Sequence, residues 1–153
     1  MARPTKVGKP PAPLLGNHTG YLLHRAGYLM IRAVEQELEP LGLTGRMFFA
    51  LIALHTLSPL SQQELSQLFA IDPATVVAMV DGFETNGLVE RRRSTADRRR
   101  YDLVLTPAGA RLVEQATNVV TEVEEKFLEA LGPRQRATLH KTLTVILRDD
   151  EHA

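Results

Sequence analysis

SQQELSQLFAIDPATVVAMVDGFETNGLVERRRSTADRRRYDLVLT, residues Ser61 to Thr106, is the stretch whose reading decides the fold. It opens on Ser61-Gln62-Gln63-Glu64, the pattern in which a serine hydroxyl accepts from an amide three residues on and the glutamate reaches back. A short helix therefore starts near Gln62, with Leu65 and Leu68 expected to face inward. Ala70-Ile71 makes a turn, and Asp72-Pro73 supplies a cap followed by proline at the first helical position, where its missing amide hydrogen costs nothing. A second helix follows to Asn86, closed by Gly87. Leu88 to Arg93 and Arg100 to Leu105 have the composition of two short strands, joined by a hairpin loop from Ser94 to Arg99. Six arginines (Arg91, Arg92, Arg93, Arg98, Arg99, Arg100) face one acid, Asp97, within a chain whose formal net charge is zero. Charge segregated in this way, beside a helix-turn-helix, suits duplex DNA.

Downstream, Thr106-Pro107 repeats the cap-then-proline signal and opens a long helix. Along it Leu112, Ala116, Val119 or Val120, Val123 and Phe127 recur at helical spacing. Gly132-Pro133 starts a last helix with Leu139, Leu143, Ile146 and Leu147 on one side. Upstream, Thr44 caps a helix to about Thr56 whose apolar surface (Met47, Phe48, Leu51, Ile52, Leu54) is wider than one stripe. Before that, Leu22, Ala26, Leu29, Ala33 or Val34, and Leu38 mark a helix from about Thr19 to Glu39, stopped by Pro40 and Gly42. The fold class is mainly α with a small β-hairpin wing, an α+β arrangement. Residues 44–106 form a winged helix-turn-helix lobe, and 17–40 with 107–150 a helical body too apolar for the lobe alone to cover, hence a homodimer interface. Residues 1–16, with Arg3, Lys6 and Lys9 among prolines, read as a flexible basic arm.

The 153 residues, 44% hydrophobic and 24% charged, allow one good core but not two independent domains. Absence of cysteine excludes disulfides, thiolate metal sites and cysteine nucleophiles. No apolar run approaches the ~20 residues that span a bilayer, so a cytoplasmic protein without membrane contact is expected. The five histidines (His18, His24, His55, His140, His152) lack the i, i+4 spacing of a metal site. There is no phosphate-cradling glycine loop, serine elbow or isolated carboxylate pair, so neither catalysis nor a cofactor is expected. Acids collect away from the arginines, at Glu122, Glu124, Glu125 and Glu129 and in the tail Asp149-Asp150-Glu151.

Several features stand in fixed order: Gly42-Leu43-Thr44, Leu60-Ser61-Gln62, Asp81 with Phe83-Glu84, Gly87-Leu88-Val89-Glu90-Arg91, and Asp97-Arg98-Arg99 ending in Leu105-Thr106-Pro107-Ala108-Gly109. With them the chain resembles the MarR (multiple antibiotic resistance regulator) family from about Tyr21 to Leu147. The resemblance implies a single MarR-like domain over 17–153 and a two-fold dimer that regulates transcription. It also implies release from DNA by a small, frequently aromatic or phenolic ligand. The helix from Pro73 is ~21 Å long and fits a major groove ~12 Å wide. Val76, Met79, Val80 and Phe83 hold it to the core, leaving Ala74, Thr75, Val77, Ala78 and Gly82 for the groove. Where relatives carry serine, threonine or arginine this chain has Val77 and Ala78, which either read thymine methyls or pack internally; of the five, only Thr75 can hydrogen-bond a base. Arg99 matches the family's minor-groove arginine and Asp97 the acid that orients it. Arg98 and Arg100 are expected on phosphates, as are Ser61 and Gln62 at a helix N-terminus. Two-fold symmetry predicts an imperfect palindrome with half-sites ~10 bp apart.

The family's effector crevice lies between body and lobe. On its elements His24, Tyr28, Arg46, Phe49 and His55 are the candidate lining, with Arg25 and Phe48 beside them, and Arg46 near an aromatic suits an anionic, salicylate-like ligand. The reading from another class is a winged-helix dimer acting as a structural DNA-binding or protein-interaction module with no effector.

Overall fold

The computed structural model describes residues 17–95, 97 and 99–148, so the readings placed on the basic arm, on Arg98 and on the acidic tail lie outside the described residues. In chain order the elements are α1 (Thr19–Leu38), a 3-10 turn (Glu39–Leu41), α2 (Gly45–Leu57), α3 (Gln62–Phe69), α4 (Pro73–Thr85), β1 (Val89–Arg93), β2 (Tyr101–Leu105), α5 (Pro107–Phe127) and α6 (Pro133–Arg148).

Four of the helices begin where a short polar side chain can take up a free amide. Thr44 accepts from the Met47 amide at 3.2 Å, Ser61 from Glu64 at 3.3 Å, Asp72 from Thr75 at 2.9 Å and Thr106 from Gly109 at 3.0 Å. Each such cap stabilises its helix by about 1 kcal/mol. At the other ends the chain turns through the left-handed region, at Gly42 after the 3-10 turn and Gly87 after α4. The turn after α3 uses an alanine instead, Ala70 at φ 48°. That costs ~1–2 kcal/mol for a residue with a Cβ. The Ser66 hydroxyl holds the turn by donating to the Ile71 carbonyl at 2.5 Å.

One core runs through lobe and body. From α2 it takes Phe48, Ala50, Leu51, Ala53 and Leu54, which surround the helix as its broad apolar composition requires. Leu65, Val76, Val80, Phe83, Val89 and Leu103 complete the lobe, and Val34, Leu38, Val113 and Ala116 extend the core between α1 and α5. Leu68 departs from expectation: it is 51% exposed. The two-turn α3 has only Leu65 directly over the core, and Phe69 and Ile71 fill the space beyond it. Leu22 and Leu29, read as the buried stripe of α1, are also exposed, as are Ile146 and Leu147 on α6. No single helix among the described residues is long and apolar enough to cross a membrane.

The hairpin pairs antiparallel with Val89 opposite Leu105, Arg91 opposite Leu103 and Arg93 opposite Tyr101. A third segment joins it: the Leu103 amide donates to the Leu60 carbonyl at 2.7 Å, which fastens β2 to the start of α3. On the far side, the Thr106 hydroxyl donates to the Gly87 carbonyl at 2.7 Å and the Thr106 amide to the Leu88 carbonyl at 3.0 Å. Gly109 lies so close to the Leu88 carbonyl that a Cβ there would collide with it. The run from Thr106 to Gly109 is thus the joint on which the wing meets α5.

Candidate nucleic-acid interface

Helix α4 is seated by Val76, Val80 and Phe83, all fully buried, with Met79 partly so. Ala74, Val77 and Ala78 are exposed, Val77 to 43%. Thr75 is half-buried against its own cap. Its amide donates to one Asp72 carboxylate oxygen at 2.9 Å and its hydroxyl to the other at 2.5 Å. The hydroxyl bond first and the amide bond second hold the Asp72 carboxyl below the usual carboxylate range. Because the only hydroxyl proton is spent on Asp72, the Thr75 oxygen has only acceptor positions left.

The wing is less positive than its arginine count implies. Arg91 bridges Asp81, at 2.6 Å, and Glu84, while its amide donates to Glu84 at 3.1 Å, clamping β1 to the last turns of α4. Arg92 pairs with Glu90 at 2.9 Å. Arg100 reaches Glu64 at 2.9 Å and the Ser61 hydroxyl oxygen at 2.9 Å. Those carboxylates lie before the arginine run or on other elements, so counting within the run overstates its free charge. Arg93 and Arg99 are exposed and have no carboxylate partner among the described residues.

At the tip, Asp97 bonds to backbone among the described residues. Its carboxylate accepts from the Arg99 amide at 2.9 Å and its carbonyl from the Arg100 amide at 2.9 Å. The Ser94 amide donates to the Arg100 carbonyl at 3.0 Å and closes the loop. Asp97 therefore sets where Arg99 leaves the chain.

Ser61, expected on a phosphate, is only 6% exposed and its hydroxyl is already saturated. It donates to Glu64 at 2.8 Å and accepts from the Glu64 amide at 3.3 Å and from Arg100 at 2.9 Å. One donor and two acceptor positions are all a hydroxyl has. Bonds from the Ser61 amide, Arg100 and the Ser61 hydroxyl hold the Glu64 carboxyl down at about 2. Arg100, expected on a phosphate too, spends one guanidinium nitrogen on Glu64 and Ser61 while its side chain stays half-exposed. Gln62 differs: its side-chain amide nitrogen is buried with no hydrogen-bond partner among the described residues.

Comparison with known proteins points to one family of regulators. Residues 43–101 match the model of the MarR family. A Mycobacterium tuberculosis MarR family protein, solved in complex with p-aminosalicylic acid, is 30% identical with a TM-score of 0.70, covering 84% of this chain and 97% of that one. The chain belongs to the MarR family. The HTH-type transcriptional repressor NicR of Pseudomonas putida is 28% identical over 134 residues, 88% of this chain and 85% of that protein. A mutant MarR from E. coli complexed with operator DNA superposes with a TM-score of 0.72 at 26% identity, covering 84% of this chain and 92% of that one.

In this MarR-family chain the five residues read as effector lining lie on α1 (His24, Tyr28) and α2 (Arg46, Phe49, His55). His55 lines a cavity of about 470 Å³ between α2 and α5, with Ile52, Arg111, Glu114, Thr117 and Asn118 among its walls. His24 and Arg46 are exposed, and the exposed Phe49 ring sits 5.6 Å from that of buried Phe48. The Tyr28 ring has the Arg32 guanidinium 5.9 Å from its centre. Arg111, Glu114 and Asn118 recur at the helical period on a face of α5 beside the apolar seam, a signal the sequence did carry. No group of histidines and acids suited to a metal occurs among the described residues.

Proposed function

We propose that this protein is a homodimeric, sequence-selective binder of duplex DNA, acting in the cytoplasm as a repressor that a small aromatic or anionic ligand releases. The observation that carries the reading is the seating of α4. Val76, Val80 and Phe83 are fully buried, Ala74, Val77 and Ala78 are exposed with Thr75 half-buried at their edge, and the wing stands beside the helix with Arg99 at the tip. The Thr75 oxygen, limited to accepting, pairs with an amino group of adenine or cytosine, while Val77 and Ala74 meet thymine methyls. Arg99 enters a narrow minor groove over A·T-rich flanks, where one guanidinium both binds and reads groove width. Gln62, at the N-terminus of α3, and Arg98, by the resemblance, are assigned to phosphates.

A relative solved on operator DNA and a relative named as a repressor support this reading. The relative holding p-aminosalicylic acid supports an anionic aromatic effector. In the homodimer the exposed apolar residues of α1 and α6 cover one another, and the two α4 helices meet half-sites of an imperfect palindrome ~10 bp apart.

The test is a titration of wild-type protein and Arg99→Ala against a duplex selected from a random pool, with and without p-aminosalicylate. Tight, salt-sensitive binding, an A·T-flank preference that Arg99→Ala abolishes, and weakening by the carboxylate are expected. Absence of duplex selection in the wild type would leave a protein-contact module in its place. Selection without any ligand response would leave a structural DNA-binding dimer.

A further inference from the structure

The Arg100 side chain is the one member of the arginine run, among the described residues, that crosses to α3. We propose that Arg100 is a positioning residue: its bonds to Glu64 and Ser61 lock the base of the wing to α3 and so set the place from which Arg99 reaches DNA. This rests on the DNA-binding reading above.

Among the described residues, three ties hold the wing to the helix-turn-helix. Arg91 binds Asp81 and Glu84 on α4, the Leu103 amide binds the Leu60 carbonyl just before α3, and Arg100 binds Glu64 and Ser61 at α3's first turn. The first two hold the strands; only Arg100 acts at the point where β2 passes into the loop. Arg99 is its neighbour in the chain, so fixing Arg100 fixes the backbone from which the exposed guanidinium departs. The Asp97 carbonyl accepting from the Arg100 amide and the Asp97 carboxylate accepting from the Arg99 amide carry that constraint into the tip.

A half-exposed ion pair usually contributes little, because two long side chains must be ordered and water screens their attraction. Here the carboxylate is already ordered. Glu64 accepts from the Ser61 amide at 2.7 Å and the Ser61 hydroxyl at 2.8 Å as part of the helix cap. Only Arg100 has to be immobilised, and it meets a second acceptor, the Ser61 oxygen, which is buried and otherwise filled from within the cap. A guanidinium held by two fixed oxygens gains geometry that a solvated arginine lacks. Ser61 and Glu64 lie 39 and 36 residues before Arg100, so the pair joins the two segments that must flank a half-site.

The competing assignment is Arg100 as a phosphate ligand, and the two differ in sign. The variants are Arg100→Ala, Arg100→Lys, Glu64→Gln and the Arg100→Ala/Glu64→Gln double, Gln being able to keep the cap at this position. Each is titrated at several salt concentrations against a selected duplex with A·T or G·C flanks. Positioning predicts that Arg100→Ala and Glu64→Gln each reduce the A·T-flank preference by about tenfold, with the double no worse than either single. It further predicts an unchanged salt slope and partial recovery in Arg100→Lys. A phosphate ligand predicts tighter binding in Glu64→Gln and, in Arg100→Ala, a salt slope shallower by ~0.9 for the one phosphate no longer neutralised; that result overturns the proposal.

A second measurement needs no DNA. Amide hydrogen exchange at Ser94 and Leu103 is expected to quicken in both single variants while the α5 amides stay protected; unchanged wing exchange also overturns it. Failure of the wild type to select any duplex, with faster wing exchange in the variants, would remove the DNA reading and keep the tie.

Discussion

A glycine at position 109 does what no other residue can do there. The carbonyl of Leu88 occupies the space a Cβ would need, and the Leu105 side chain closes on the same point. Backbone cannot yield as a flexible side chain does, so Gly109→Ala must push α5 away from the start of β1. Overpacking of this kind costs typically about 1–3 kcal/mol, and rigid surroundings place this case at the upper end. Urea unfolding is expected to show that loss, with wing amides exchanging faster than those of α2; a variant of wild-type stability would show that the joint is loose. Residue-scale reading from sequence located Gly109 as part of a motif without its reason, because the Leu88 carbonyl approaches from 21 residues away. The same limit applies to Arg91 and Arg100, whose carboxylate partners lie on helices that precede the wing.

At the scale of elements, what is local was legible. The caps at Thr44, Ser61, Asp72 and Thr106 form where the short-range patterns put them. The amphipathic period of α3 failed only at Leu68, because Phe69, four residues on from Leu65, takes the place against the core instead. The cap of α3 also gives the molecule a pH-dependent contribution. The Glu64 carboxyl stands at about 2 in the folded protein because the Ser61 amide, Arg100 and the Ser61 hydroxyl favour its charge. An unfolded glutamate titrates near ~4.3. A depressed folded value means the contribution is fully present above the unfolded value and is lost as pH falls toward the folded one. The stability difference between wild type and Glu64→Gln is therefore expected to be constant from neutral pH down to about 5 and to shrink steadily between about 4 and 2. Asp72, shifted in the same direction, is untouched by the substitution and cancels in the difference. A difference that stays flat to the acid limit would mean the Glu64 bonds contribute nothing to folding.

For the whole molecule, the question is what the protomer leaves uncovered. The apolar period along α1 and α6 was legible in the sequence, but which part of it a protomer covers was not, since that depends on a second surface. Val34 and Leu38 are buried against α5, while Leu22, Leu23, Leu29 and Ile31 remain exposed on α1. On α6, Val145, Ile146 and Leu147 are 58%, 53% and 62% exposed. Surfaces of this kind on two terminal helices are costly in water and are relieved when a two-fold partner covers them. The acidic residues Glu124 and Glu125 sit at the far end of α5, ~25 Å along the helix from the wing, so a body that pairs there keeps its acids away from phosphate. Charge placed at Ile146 or Leu147 should therefore separate the protomers without touching the lobe. The double variant Ile146→Glu/Leu147→Glu is expected to sediment as a monomer, with the lobe's core intact by near-ultraviolet circular dichroism. Its affinity for a single half-site should stay within a factor of about two, while affinity for the full palindrome falls by about 100-fold or more, because the second half-site no longer benefits from linkage. A dimer of unchanged stability in that variant would place the interface elsewhere, and a monomer that retained full palindrome affinity would remove two-fold symmetry from the account of operator recognition.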